Sequence, residues 1–144
     1  MNAYTFSCKV SVTELDCPLN LNILIDGQAV FDKQICMAQD LSFELPDDIK
    51  EHRIQFTMTG KTVNDTRIDE QGNLVKNPMI LISDVKFENI NCDLWLWRNA
   101  VYQHDFNGAQ EKFDDTFSGS MGCNGTVAFT YTCPIYVWLL DILL

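Results

Sequence analysis

Residues 54–90 read IQFTMTGKTVNDTRIDEQGNLVKNPMILISDVKFENI. Two apolar runs, 54–58 and 79–90, flank a polar centre rich in Asn, Asp, Thr and Gly. The first run alternates throughout, and the second alternates after Ile82. Alternation with a period of two marks a strand with one face buried and the other in water. The polar centre has too little apolar surface to enter a core and is expected outside it. A strand, a long decorated loop and a second strand predict an antiparallel sandwich that carries its function on its margins.

The same pattern extends in both directions. Strands are expected at residues 3–12, 19–26, 28–35, 41–45, 51–60, 79–87, 126–132 and 135–140. Asp26-Gly27 lies between two of them and is a strong hairpin signal. Pro46-Asp47-Asp48 and Cys133-Pro134 end others. Val, Ile, Thr, Tyr, Phe and Trp fill the runs, as they do in sheets. No segment keeps a helical period over three turns, and one short helix is expected within residues 110–117. Short strands separated by regular turns predict an all-β fold, an antiparallel β-sandwich of jelly-roll type. Residues 1–144 are expected to form one such domain.

Composition bounds the function. The chain is 47% hydrophobic and 11% aromatic, which is globular. Its formal net charge of -10 repels phosphates, so nucleic-acid binding is not expected. A self-repelling surface, a basic partner or a bound cation would suit it. The longest apolar segment, residues 135–144, contains Asp141 and is far short of the ~20 residues that span a bilayer. Residues 1–15 show neither a basic start nor a long apolar core, so synthesis in a cytoplasm and no membrane partner are expected. The six cysteines, Cys8, Cys17, Cys36, Cys92, Cys123 and Cys133, include no CxxC pair, and the histidines are His52 and His104. Zinc-type spacing is therefore absent, and free, mostly buried thiols are expected.

No catalytic constellation stands out. There is no GxSxG elbow, and His52 lies in an acidic turn or strand start with no nucleophile in view. The loop carboxylates Asp65, Asp69 and Asp105 are candidates for a cation. Calcium is the ion that such oxygen donors suit, although no EF-hand pattern is present. The alternative is ordinary turn chemistry. Trp95 and Trp97 share one face at strand spacing. With Tyr102 and His104 they are the candidates for contact with a ligand or partner; as buried rings they would be core. The expectation is a protein that is not an enzyme.

Residues 60–90, TGKTVNDTRIDEQGNLVKNPMILISDVKFENI with the preceding Thr59, resemble part of the calcium-dependent xylan-binding type of carbohydrate-binding module. Gly60, Lys61, Asn64, Asp65, Thr66, Asp69 and Gly72 carry the likeness, with YQHDFNG at 102–108 and MGCNG at 121–125. The same residues, followed by the apolar stretch 136–140, make the chain similar to small proteins of tailed phages of marine and cyanobacterial hosts. That resemblance implies a non-enzymatic structural component of a virion, in tail, neck, capsid decoration, baseplate or fibre. Such a protein is made in the host cytoplasm and assembles with itself or other virion proteins through strand edges and terminal contacts. Ile142, Leu143 and Leu144 are the expected assembly residues, because an apolar terminus frays unless something holds it. The alternative is a carbohydrate-binding module, calcium-assisted, with a glycan as partner.

Overall fold

The computed structural model describes residues 2–144. The elements are β1 (Ala3–Val12), β2 (Leu19–Ile25), β3 (Gln28–Ile35), β4 (Gln39–Pro46), β5 (Glu51–Thr59), β6 (Arg67–Ile68), β7 (Leu74–Lys76), β8 (Ile80–Phe87), β9 (Ile90–Asn91), α1 (Asp93–Asn99), β10 (Val101–His104), β11 (Phe113–Thr116), β12 (Ser120–Met121), β13 (Gly125–Thr132) and α2 (Ile135–Leu143). One sheet runs β12-β8-β1-β4, with β9 added to β8. The facing sheet runs β11-β10-β13-β5-β2-β3. A short ribbon, β6-β7, lies in the polar insertion between β5 and β8. All strand pairs are antiparallel, so the architecture is the expected β-sandwich.

Period-two burial fixes which residues meet between the sheets. Tyr4, Phe6, Cys8 and Val10 of β1 point inward, as do Ile54, Phe56 and Met58 of β5. Asp26 and Gly27 form the two-residue turn between β2 and β3, both at positive φ (52° and 81°), as a type I′ turn requires. In β8 the inward residues are Ile80 and Ile82, then Val85 and Phe87. The change of parity needs one extra residue. It coincides with Asp84 at φ 52° and a register shift against Ser7 and Lys9 of β1. The amide donors freed by that bulge are taken by Asp93, whose carboxylate accepts from Asp84 N (3.0 Å) and Val85 N (2.8 Å). This ties the start of α1 to the bulge. The buried hydroxyls of Tyr4 and Tyr131 hydrogen-bond to each other across the two sheets.

Three expectations are corrected. Residues 135–140 are not a strand but the body of α2. Ile135, Trp138 and Leu139 are buried and Ile142 is half-buried, which is helical spacing. An unbroken apolar run carries no period to tell strand from helix. Trp95 and Trp97 lie on α1, where residues two apart point in roughly opposite directions. Trp95 packs edge-on against Trp138 at 4.9 Å, while Trp97 is exposed. Residues 110–117 hold no helix; they lead into β11, an edge strand. The six cysteines are unbridged, with Cys8, Cys17, Cys92 and Cys133 buried, Cys123 half-buried and Cys36 exposed.

Candidate functional site: a polar trough on the six-stranded sheet

The alternation that sends Val127, Phe129 and Tyr131 inward sends Thr126, Ala128 and Thr130 outward. Register then aligns outward residues across the sheet. Asp114 of β11 stands opposite Gln103 of β10, and Gln103 opposite Thr126 of β13. Thr126 faces Thr57 of β5, Thr57 faces Asn22 of β2, and Asn22 faces Asp32 of β3. One rung therefore crosses all six strands with a polar side chain on every one. Five inter-strand steps make it about 24 Å long. Within it the Thr57 and Thr126 hydroxyls lie 3.0 Å apart, and Gln103 Nε2 donates to Asp114 Oδ1 at 3.4 Å.

Beside this rung the sheet surface is hollowed into an open trough of about 470 Å³. Arg53, Gln55, Gln103, Thr126 and Thr130 supply its polar lining, and Asp114 lies at the β11 side. Ala128 and Phe129 lie along the middle strand, and Asn99 at the end of α1 contributes to the wall. Small outward residues on β13 let the flanking strands' longer side chains stand proud of it. Arg53 and Asp114 are the charged lining residues, one of each sign. The chemistry is that of paired donors and acceptors: amides, hydroxyls, a guanidinium and a carboxylate. Glycoside cleavage by two opposed carboxylates has only Asp114 to draw on in this lining.

The residues singled out in the sequence lie elsewhere. Tyr102 and His104 flank Gln103 but point inward, 5% and 3% exposed, so neither ring is presented to a ligand. The Tyr102 hydroxyl donates to Cys123 O and accepts from Cys123 N at 2.9 Å. His104 Nδ1 accepts from Phe106 N (3.2 Å), which places its proton on Nε2, facing Asp115 Oδ2 at 3.0 Å. The hydrogen bond from His104 holds the Asp115 carboxyl below the usual range. Asp65 accepts from Thr62 N, Asp69 from Gln71 N and Asn73 N, and Asp105 from Gly108 N. Each carboxylate closes its own turn, and the three do not form a common ligand set among the described residues. Backbone amides of Thr62 and Asn73 hold Asp65 and Asp69 below the usual carboxylate range.

The segments around Lys61, Tyr102 and Asn124 do converge. Lys61 is 6% exposed, and its Nζ donates to Asn77 Oδ1 (2.6 Å) and Gly122 O (2.7 Å). Asn124 Oδ1 accepts from Lys61 N at 3.0 Å, and its Nδ2 donates to Lys61 O at 2.8 Å. Asn107 Oδ1 receives the Asn124 N–H at 2.8 Å. Burial pushes the Lys61 ammonium down from its ordinary value. This node locks three loops together at one end of the sandwich. His52, expected in an acidic turn or at a strand start, is the second residue of β5, with only 10% of its side chain exposed. Burial pulls its imidazole down, but the hydrogen bonds it donates to the Asp26 and Asp48 carboxylates outweigh that and hold it above its ordinary value.

The trough residues were missed for a physical reason. Gln, Thr and Arg on an alternating strand look like an ordinary solvated face. Only register shows that Gln103 and Thr126 share one rung with Asp114, Thr57, Asn22 and Asp32. The signal was the outward half of alternation in 53–57, 101–103 and 126–130, polar at Arg53, Gln55, Thr57, Gln103, Thr126 and Thr130 and apolar at Val101 and Ala128.

No family model matches the chain, and no curated protein matches it. Among solved structures the chain is similar to one described as vCBM60 in complex with galactobiose. The TM-score is 0.49 at 14% identity, over 87% of this chain and 96% of that one.

Proposed function

We propose that the protein is a non-catalytic module that holds a neutral glycan chain along the trough of the six-stranded sheet. The observation that carries this reading is the polar rung from Asp114 to Asp32. A row of amides and hydroxyls in fixed register can exchange water for sugar hydroxyls without stranding a polar group. The lining holds one positive and one negative charge, and the surrounding surface is acidic overall. Both favour a neutral ligand over a polyanionic one.

Affinity electrophoresis against a panel of soluble neutral polysaccharides tests it. At least one should retard the protein. Arg53→Ala with Gln103→Ala should weaken that binding at least tenfold, since each removes a hydrogen bond to the ligand of about 1 kcal/mol or more. Ser42→Ala, on β4 of the other sheet, should leave it unchanged. Binding that vanishes with a chelator but tolerates both trough substitutions would move the site to calcium held by the Asp65, Asp69 or Asp105 loops. No retardation by any polysaccharide removes the reading.

One observation favours a second reading, a tailed-phage structural component that assembles with itself or with other virion proteins. Tyr136, Val137, Leu140, Leu143 and Leu144 are exposed on or just beyond α2, from 55% to 100%. Ile142 packs against the chain's own core, so of the three terminal residues only Leu143 and Leu144 are free to reach a neighbour. Burying each aliphatic side chain is worth roughly 1.5–3 kcal/mol. Sedimentation velocity should then show an oligomer that Leu140→Lys with Leu143→Lys disperses while cooperative melting persists. A wild-type monomer at all concentrations rules this out.

A further inference from the structure

We propose that Asp48, His52 and Cys133 form a binding site for one zinc-class divalent ion, with Asp26 orienting the imidazole. Sequence spacing hides the set, because Cys133 is remote from the other two in the chain. Strand pairing brings it in: Thr132 stands opposite Glu51, and Cys133 N donates to Lys50 O at 3.0 Å. Asp48 lies just before β5 and His52 just within it.

The donor atoms of the three residues all lie within 4.8 Å of one another. His52 Nε2 and Asp48 Oδ1 are 2.8 Å apart. Tetrahedral zinc, with bonds of about 2.0–2.3 Å, holds its donors about 3.3–3.7 Å apart, so shifts of about 1 Å close the set on one ion. Side-chain rotations on that scale leave the strands in place.

The surroundings are those of a built site. Asp26 Oδ2 lies 2.6 Å from His52 Nδ1, while Asp26 Oδ1 accepts from Arg53 N at 2.9 Å. The carboxylate anchored on Nδ1–H orients the ring, the common arrangement at metal-bound histidines, and Nε2, hydrogen-bonded to Asp48 without metal, takes the ion once it gives up its proton. The ring plane is fixed by Tyr131, whose centroid lies 5.4 Å away. Cys133 is 6% exposed, and its thiol sits within hydrogen-bonding reach of Tyr4, Asp47 and the Asp48 backbone, contacts the sulfur exchanges for the metal. Asp48 is 27% exposed, which leaves an entry path and a position for a water as fourth ligand. A nitrogen, oxygen and sulfur set selects zinc or cobalt over calcium. On binding, His52 Nε2 and the Cys133 thiol each give up a proton to solvent, and the freed nitrogen and sulfur take the metal.

The test uses the full chain, chelator-treated and reduced, titrated with Co²⁺ and then with Zn²⁺. One equivalent of Co²⁺ should produce a thiolate-to-cobalt absorption in the near ultraviolet that Zn²⁺ bleaches. Cys133→Ser should abolish it, and Cys36→Ser, at the exposed cysteine, should not. His52→Gln and Asp48→Asn should each weaken binding at least about tenfold. No absorption, or one that survives Cys133→Ser and is lost in Cys36→Ser, overturns the site. Should Cys133→Ser fail to fold, Asp48→Asn at the solvent rim decides: unchanged cobalt affinity overturns the site and a tenfold loss supports it.

Discussion

Phe87→Ala is expected to destabilise the domain by about 3–5 kcal/mol, the range for a buried phenylalanine reduced to alanine. Phe87 is fully buried at the end of β8. Its ring lies 5.2 Å from Phe6, 4.8 Å from Tyr131 and 5.1 Å from Trp138. These partners come from the same sheet, the facing sheet and α2. The cavity would open where three layers meet, and none can close it without leaving another. Domains of this kind have about 5–15 kcal/mol in total, so about a fifth or more of the stability is at stake. Urea unfolding measures it. The midpoint should fall sharply with an unchanged slope. A loss below about 1 kcal/mol would mean that the layers repack and that the aromatic cluster is not the keystone of the core.

Gly125→Ala should weaken fold and trough together. A Cβ at Gly125 would sit 2.4 Å from Gln103 O and 2.8 Å from His104 Cβ. Gly125 stands opposite His104, at the end of the β10–β13 ladder. The first clash is with backbone, which cannot rotate away, so β10 must move outward and take Gln103 with it. Overpacking of this kind costs typically 1–3 kcal/mol, and a backbone clash belongs at the upper end. Glycan affinity should drop at least as much as in Gln103→Ala, even at temperatures where the variant is folded. An alanine variant with wild-type melting and binding would show that the β10–β11 hairpin yields freely, and that Gln103 is not held in register.

The strands were legible because their burial is one-sided. Residues 3–12, 19–26, 51–60 and 126–132 alternate over most of their length, and each is a strand within a residue or two of those bounds, as is the hairpin return 28–35, which does not alternate. Asp26-Gly27 placed its turn for the same reason: only left-handed backbone closes that hairpin. The parity slip at Ser83-Asp84 was visible as alternation beginning only after Ile82, and it proved to be the bulge. The helices were not legible. α1 is short and holds two tryptophans, which suit strands as well. In α2 almost every position is apolar, so no moment separated the buried stripe from the exposed one.

The candidate sites were less legible than the fold, because both are made by pairing between distant strands. Choosing residues for their chemistry selected Tyr102 and His104, which are buried, and passed over Gln103 between them. Asp65, Asp69 and Asp105 were visible as loop carboxylates, and what the structure adds is that each has a backbone amide to serve. Asp48 and His52 are four residues apart, but Cys133 is remote from both in sequence and joins them only through the β5–β13 ladder.

The margins of the two sheets carry a last consequence. The outer strands are β3 and β11 in one sheet and β4 and the two-residue β12 in the other. Asp32 and Lys33 sit on β3, Asp40 and Glu44 on β4, and Asp114 and Asp115 on β11. An unpaired edge is a template for another chain's backbone, and charges on it make that recruitment costly. Sheet-to-sheet growth, the route to fibrils, is therefore blocked on every long edge. Copies crowded at high local density would have to bury those charges before their backbones could pair.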